Sequence, residues 1–215
     1  MTTTREVLPV DLRATDLTRQ RYERLSPYYD RLEGQTERRY HPWRRKLWGQ
    51  VHGPRVLEVG VGTGKNMPYW PDGLAMTAID LTPGMLALAR RRADQLGLQP
   101  DLRLGDVQAL DFPDASFDTA VATCVFCSVP DPVRGLREVA RVVRPGGQIL
   151  LLEHGRPANP FLGGLTDLLS PIVVRLIGAN LNRRTVDNAR RAGIQVMQIE
   201  ELAMAGMYKF ISAQN

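Results

Sequence analysis

The 215 residues are 43% hydrophobic and 24% charged, which suits one globular domain with an appendage and excludes disordered, collagenous and disulfide-stapled chains. With two cysteines, no leader-like start and no run of the roughly 18 apolar residues that a membrane span needs, a cytoplasmic location is expected. The net charge of +5 is uneven: residues 1–50 hold 11 Lys and Arg against 7 Asp and Glu, residues 51–174 hold 11 against 13, and residues 175–215 hold 6 against 3.

Basic flanks of this kind attract anionic lipid headgroups, acidic substrates or nucleic acid, unless they form a solvated arginine-rich surface. From Leu17 to Val51 the pattern is helical, with Tyr22, Leu25, Tyr29 and Leu32 at three- and four-residue steps and a break expected at Gly34. The segment after it mixes Tyr40, Trp43, Leu47 and Trp48 with Arg38, Arg39, Arg44, Arg45 and Lys46. Such a helix either lies on an anionic interface or packs its aromatic residues on the core.

Beyond Gly53-Pro54, strand-like and helix-like segments alternate. RVLEV runs into a glycine loop, followed by AMTAID, a helix over 83–98, DLRLGD and FDTAVATCVF. A helix over 132–143, a turn at Arg144-Pro145-Gly146-Gly147 and QILLLEH complete the alternation, which predicts a parallel sheet with helices on both faces. Residues 155–192 read as an apolar, largely helical insertion. Two β-like stretches follow, GIQVMQI and GMYKFIS, with a polar turn expected around Glu200 and Glu201.

The strongest chemical signal is VLEVGVGTGKN, residues 56–66, where an apolar strand enters Gly60, Gly62 and Gly64. Glycines let backbone approach a ligand, and Asp80, 20 residues after Gly60, ends the next strand where a carboxylate can accept both hydroxyls of a ribose. Together they imply an adenosine-containing cofactor. The G-x-G-x-G spacing departs from the dinucleotide pattern G-x-G-x-x-G, and the P-loop pattern is absent. Glu58 is a carboxylate inside an apolar strand and needs donors or a cationic ligand to be buried there. Cys124 and Cys127 spell C-x-x-C, but the segment 117–126 reads as a strand and no further zinc ligands accompany it, so two core thiols are expected.

On VGVGTGKN, AID, LGDVQALDFPDASFD and REVARVVRPGG, in this order and spacing, the chain resembles the class I S-adenosylmethionine-dependent methyltransferases of the type-11 group, over about residues 20–212. GTGKNMPYWP, CVFCSV, RPGG, EHG and GANLNR look like bacterial phosphatidylethanolamine N-methyltransferase-like and thiol methyltransferase-like proteins. The Phe-Gly-x-Arg-Asn segment of quinone C-methyltransferases is replaced by Cys127-Ser128-Val129, which lowers that alternative.

The resemblance implies an α/β fold, a Rossmann-like seven-stranded methyltransferase sheet, mostly parallel with the last strand antiparallel and helices on both faces. Residues 1–51 would form an N-terminal helical cap, 52–215 the methyltransferase domain, and 155–192 a substrate-covering insertion. S-adenosyl-L-methionine is the implied cofactor and S-adenosyl-L-homocysteine its product. Glu58, Gly60, Gly62 and Gly64 would hold the methionine end, with Thr63 also at the cofactor and Asn66 bracing the loop. Asp80 would hold the ribose beside Leu81 and Met85, Asp106 and Val107 the adenine after the turn at Gly105, and Thr123 and Cys124 would border the methyl group. Tyr29 would close over the cofactor.

Glu153 and His154 end the fifth strand, at the sheet edge where such folds bind ligands, and are the candidates for handling an acceptor proton. Asn180 and Arg183, with Asn182 and Arg184, are candidates for a polar or phosphate headgroup. The expected acceptor is a small molecule or a lipid, best a phospholipid headgroup amine, with a thiol or a quinone as alternatives and peripheral contact with an anionic membrane surface left open. Neither a metal ion nor nucleic acid is expected. The N/D-P-P-Y/F signature of nucleic-acid amino methyltransferases is absent after the fourth strand, where Thr123-Cys124-Val125-Phe126 stands.

Overall fold

In the computed structural model, residues 9–157 and 159–215 are described. Helix α1, Leu12–Leu25, starts at Asp11, whose carboxylate accepts from Ala14 N at 3.0 Å and so satisfies one of the unpaired donors of the first turn. A 3-10 turn, Ser26–Tyr28, separates it from α2, Tyr29–Trp48. The break therefore falls at Pro27 and not at Gly34, which lies inside α2. Proline lacks the N–H that would continue α1, yet suits the first positions of the turn that follows.

The strands are β1 Arg55–Val59, β2 Ala75–Asp80, β3 Asp101–Leu104, β4 Phe117–Thr123, β5 Val143–His154, β6 Gln195–Ala203 and β7 Tyr208–Gln214. Helices α3 Pro83–Leu96, α4 Pro132–Val142, α5 Pro160–Ile177 and α6 Thr185–Arg191 connect them. The strands form one sheet in the order β3-β2-β1-β4-β5-β7-β6, in which β1 to β5 pair in parallel and β7 runs antiparallel to both β5 and β6. This is the expected seven-stranded arrangement.

Two local expectations change. Phe117 pairs with Val143 but Thr119 pairs with Gln148, so Arg144–Gly147 bulge out of a continuous β5 rather than precede it. A Cβ on Gly147 would lie 2.9 Å from Asp118 O, a contact that leaves room for glycine alone. Glu200 and Glu201 belong to β6, paired with Phe210 and Lys209, and the chain turns instead at Met204–Gly206, all three with positive φ.

Strand alternation divides the core. Ile149 and Leu151 of β5 join Leu57, Phe117, Phe126, Leu136 and Val139 on the α4 face, whereas Leu150 and Leu152 join Tyr40, Leu47, Trp48, Val56 and Phe210 on the α2 face. The aromatic residues Tyr40 and Trp48 thus go to the core. At the amino ends of the strands Asp118 accepts from Arg55 Nη2 at 3.1 Å and Arg144 Nε at 3.0 Å, and the Arg55 contacts hold its carboxyl down at about 2. Among the described residues no helix is long and apolar enough to cross a membrane.

Leu151 is 1% exposed at the centre of the sheet. Leu151→Ala is expected to lower the unfolding free energy in a urea titration by about 2–5 kcal/mol, the loss of transfer energy plus the cavity left behind. A loss below about 1 kcal/mol would place Leu151 outside the well-packed core.

Candidate active site

Strand β1 delivers the chain into a loop in which Gly60 has φ +66° and Gly62 φ +56°, the left-handed region. A Cβ at Gly60 would meet Val125 Cγ2 at 2.5 Å, so glycine is required for β1 to pass the turn after β4. At Gly62 a Cβ would meet nothing within 4 Å, and its bare backbone lines a cleft across the carboxyl ends of β1, β2 and β4. Asp80 closes the loop from β2: Oδ2 accepts from Gly62 N and Oδ1 from Thr82 N, both at 2.9 Å. Burial pushes the Asp80 carboxyl up, opposed by those backbone donors.

Leu81, Met85, Gly105, Asp106, Val107, Thr123, Cys124 and Tyr29 line the same cleft, as do Gly60, Gly62 and Asp80. Asp106 Oδ1 accepts from Gln108 N at 2.9 Å. The cleft thus joins two carboxylates to an apolar wall of Ile79, Leu81, Met85 and Val107. Two carboxylates beside an apolar wall suit the hydroxyls of a ribose and the amine of an adenine, and the open Gly62 backbone suits close approach of a ligand chain.

Glu58, Thr63, Gly64 and Asn66 do not line the cleft. Because Leu57 and Val59 face α4, alternation turns Glu58 toward α2, where it is 1% exposed. Its Oε1 accepts from Asn66 Nδ2 at 2.6 Å and its Oε2 from Trp70 Nε1 at 2.8 Å, and Asn66 also donates to Thr123 Oγ1 at 3.1 Å. The buried guanidinium of Arg44 on α2 donates to Asn66 Oδ1 and pairs with Glu37. Burial pushes the Glu58 carboxyl up to about 7, against these donors. Thr63 donates to Asp30 Oδ1 at 2.6 Å, and Lys65 pairs with Glu33 at 2.7 Å and Glu37 at 3.4 Å. These four residues brace the loop from behind.

The N-terminal helices also supply groups that the sequence reading did not assign to the site. Thr18 and Tyr22 of α1 line the cleft opposite Ser128, Val129 and Pro130, and the Tyr22 hydroxyl bonds the Ser128 hydroxyl. Tyr22 and Tyr29 stand with ring centroids 6.4 Å apart, and Lys65 Nζ sits 5.3 Å from the Tyr29 centroid. The periodic spacing that put both tyrosines on one face is the signal that points to Tyr22.

After β4 the chain reverses at Cys124, a non-glycine residue with φ +55°. The strand ends at Thr123, so both cysteines lie in the turn, where Cys127 Sγ contacts Cys124 O at 3.3 Å and Cys124 faces the cleft. Cys127 is a core thiol, and Cys124, partly buried, packs against the α2-face core as well as lining the cleft. Glu153 Oε1 holds the turn by accepting from Val125 N at 2.8 Å and Phe126 N at 3.1 Å. Neither Glu153 nor His154 lines the cleft, and both face a separate cavity beyond the turn. Asn180 Nδ2 donates to Cys127 O at 2.8 Å and Arg183 Nη2 to Val129 O at 2.7 Å. These two expected headgroup residues therefore anchor the α5–α6 segment to the turn.

Burial pushes Glu153 up to about 7. Its folded-state pKa thus lies above the ordinary 4.5, so stability is full while the group is protonated in both states and falls as pH rises from about 4.5 through 7. Glu153→Gln keeps the acceptor for the two N–H groups and removes the charge. The variant is expected to gain stability relative to wild type between pH 5 and pH 8 in paired urea titrations, on the order of 1–3 kcal/mol. A difference that does not change with pH would contradict the burial of a titrating carboxyl.

Comparison with known proteins accords with this geometry. A methyltransferase-domain family model matches residues 57–151. A phosphatidylethanolamine N-methyltransferase of Cereibacter sphaeroides is 47% identical over 115 residues, covering 52% of this chain and 57% of that protein. A demethylmenaquinone methyltransferase of Renibacterium salmoninarum is 35% identical over 172 residues, 75% of this chain and 68% of that protein. The chain thus spans little more than half the length of the first of these relatives. The crystal structure of an S-adenosylmethionine-dependent methyltransferase of Thermotoga maritima, described as a possible histamine N-methyltransferase, matches with a TM-score of 0.67 at 22% identity. That match covers 91% of this chain and 98% of the other, and it shows the fold. The sheet order, the glycine loop answered by Asp80 and these similarities together make the chain a member of the S-adenosylmethionine-dependent methyltransferases of the type-11 group.

Proposed function

We propose that the chain transfers a methyl group from S-adenosylmethionine to the amine of a phospholipid headgroup, in the manner of phosphatidylethanolamine N-methylation. The carrying observation is the cleft at the carboxyl edge of the sheet, lined by Asp80 and Asp106 with an apolar wall and by Tyr22 and Tyr29. When bound, the cofactor supplies an already activated methyl group, so the protein's part is to position and to exclude water. Asp80 would accept from the ribose hydroxyls and Asp106 from the adenine amine, with Val107 and Met85 as the apolar walls.

Tyr22 and Tyr29 would cover the reacting centre. Burial pushes their phenols and the Cys124 thiol up, so all three stay neutral and offer ring faces and dipoles to a cationic centre. The helices α1 and α2 act as the cap, and the segment 155–192 covers the acceptor side.

The phospholipid acceptor draws support from the similarity to the Cereibacter protein and from Ser128, which occupies the cleft wall where the quinone-type segment is missing. Helix α5 adds to it by exposing Phe161, Leu165, Leu168 and Ile172, an apolar stripe at helical spacing suited to a greasy acceptor. A quinone C-methyltransferase is the second reading, favoured by the longer match to the Renibacterium protein.

Labelled S-adenosylmethionine offered with phosphatidylethanolamine vesicles or with demethylmenaquinone separates the two. Label is expected in the lipid; label in the quinone alone would overturn the acceptor. Asp80→Ala is expected to weaken calorimetric binding of S-adenosylhomocysteine by at least about tenfold, the loss of a charge-assisted hydrogen-bond acceptor. Unchanged affinity would remove Asp80 from the cofactor site.

A further inference from the structure

The cavity beyond the Cys124–Val129 turn lies over the ends of β5 and β7 and shares no lining residue with the cofactor cleft. Four cationic side chains line it, Arg156, Arg183, Arg184 and Lys209, against the carboxylates of Glu153 and Asp187. Two of the cations are committed: Arg156 Nε pairs with Asp167 at 3.1 Å, and Arg183 donates to Val129 O. Asp187 has its partner in Arg190, 3.9 Å away.

Arg184 is exposed, and among the described residues its guanidinium has neither a hydrogen bond nor an ion pair. Lys209 Nζ donates only to the carbonyls of Gly206 and Arg156, with no carboxylate in ion-pair range among the described residues. The Thr185 hydroxyl, in a residue 6% exposed, is buried without a partner, and so is Glu153 Oε2. Buried polar atoms without partners are rare in folded proteins, and of these two the Thr185 hydroxyl is a free donor in a cavity where Arg184 has no ion pair and Lys209 has only the longer-range attraction of Glu201 and Asp187.

We infer that this cavity binds the phosphate of a phosphoester acceptor, with Arg184 and Lys209 supplying charge and the Thr185 hydroxyl donating to a phosphate oxygen. The acceptor's role as methyl recipient rests on the proposed function, whereas the phosphate site stands on the cavity itself. Arg183 has a structural part here, since its donors hold the turn that separates the cavity from the cleft. Glu153 ties the two compartments together: one oxygen fixes Val125 and Phe126 at the cleft, and the other faces no protein donor.

The test is calorimetric titration with glycerophosphoethanolamine, with ethanolamine as the phosphate-free control, on wild type, Arg184→Ala and Thr185→Val, each also titrated with S-adenosylhomocysteine. Arg184 is exposed, so its removal leaves the fold intact. Glycerophosphoethanolamine is expected to bind wild type more tightly than ethanolamine does, and about tenfold more weakly to Arg184→Ala, with adenosyl-ligand affinity unchanged.

Flotation with phosphatidylethanolamine vesicles distinguishes the source. Vesicle binding that falls in Arg184→Ala assigns the phosphate to a lipid headgroup, and vesicle binding indifferent to Arg184 assigns it to a soluble phosphoester. Equal affinity of wild type and Arg184→Ala for glycerophosphoethanolamine, or no advantage over ethanolamine, would overturn the phosphate site while adenosyl binding upholds the methyltransferase reading. Arg184-dependent phosphoester binding in a protein that takes no adenosyl ligand would do the reverse.

Discussion

A carboxylate without access to water organises this molecule. Glu58 sits at the end of β1 and is answered by Asn66, Trp70 and, through Asn66, the buried Arg44 of α2. An isolated charge in such a place is costly, and leaving any partner unpaired costs more than the pair contributes. The consequence is mutual dependence: the turn after the glycine loop, the N-terminal helix α2 and the end of β4, reached through Thr123, are all set by one node. Helix α2 is thereby tied into the glycine loop.

The rest follows from sheet topology. Crossovers leave β1 toward β2 on one side while β4 pairs on the other, so a crevice opens at the carboxyl ends where the strand order reverses. Asp80 and the bare Gly62 backbone fill its β2 side, and the Cys124 reversal held by Glu153 fills its β4 side. The opposite end is tied by Asp118 to Arg55 and Arg144, and the close packing lies in the layers of Leu150, Leu151 and Leu152. This separation lets the residues at the carboxyl edge carry strain, as at Cys124, without loosening the sheet.

Much of this was legible in the sequence, because local patterns and tertiary roles coincide in the sheet. RVLEV, AMTAID and FDTAVAT are strands since their apolar runs are buried on both faces, and the glycine spacing with Asp80 marks the loop that Asp80 holds through Gly62 N. What was not legible depends on direction rather than type. Glu58 read as a ligand contact, but the pleat turns it to α2, where Asn66 braces it as the sequence suggested. Asn180 and Arg183 read as headgroup contacts, but their donors meet the carbonyls of Cys127 and Val129. Gly34 reads as a helix break, yet a glycine is tolerated within α2 whereas Pro27 is not within α1. Thr18 enters the cleft through long-range packing of α1, which no local pattern announces.

The cleft lined by Asp80 and Asp106 is the proposed seat of the methyl donor. A crystal structure of the protein grown with S-adenosylhomocysteine tests this most directly. Density for the ribose at Asp80, the adenine between Asp106 and Val107, and the sulfur end beneath Tyr22 and Tyr29 is the predicted result. Density for the ligand at another site, or a cleft left without ligand in crystals that contain it elsewhere, would contradict the account.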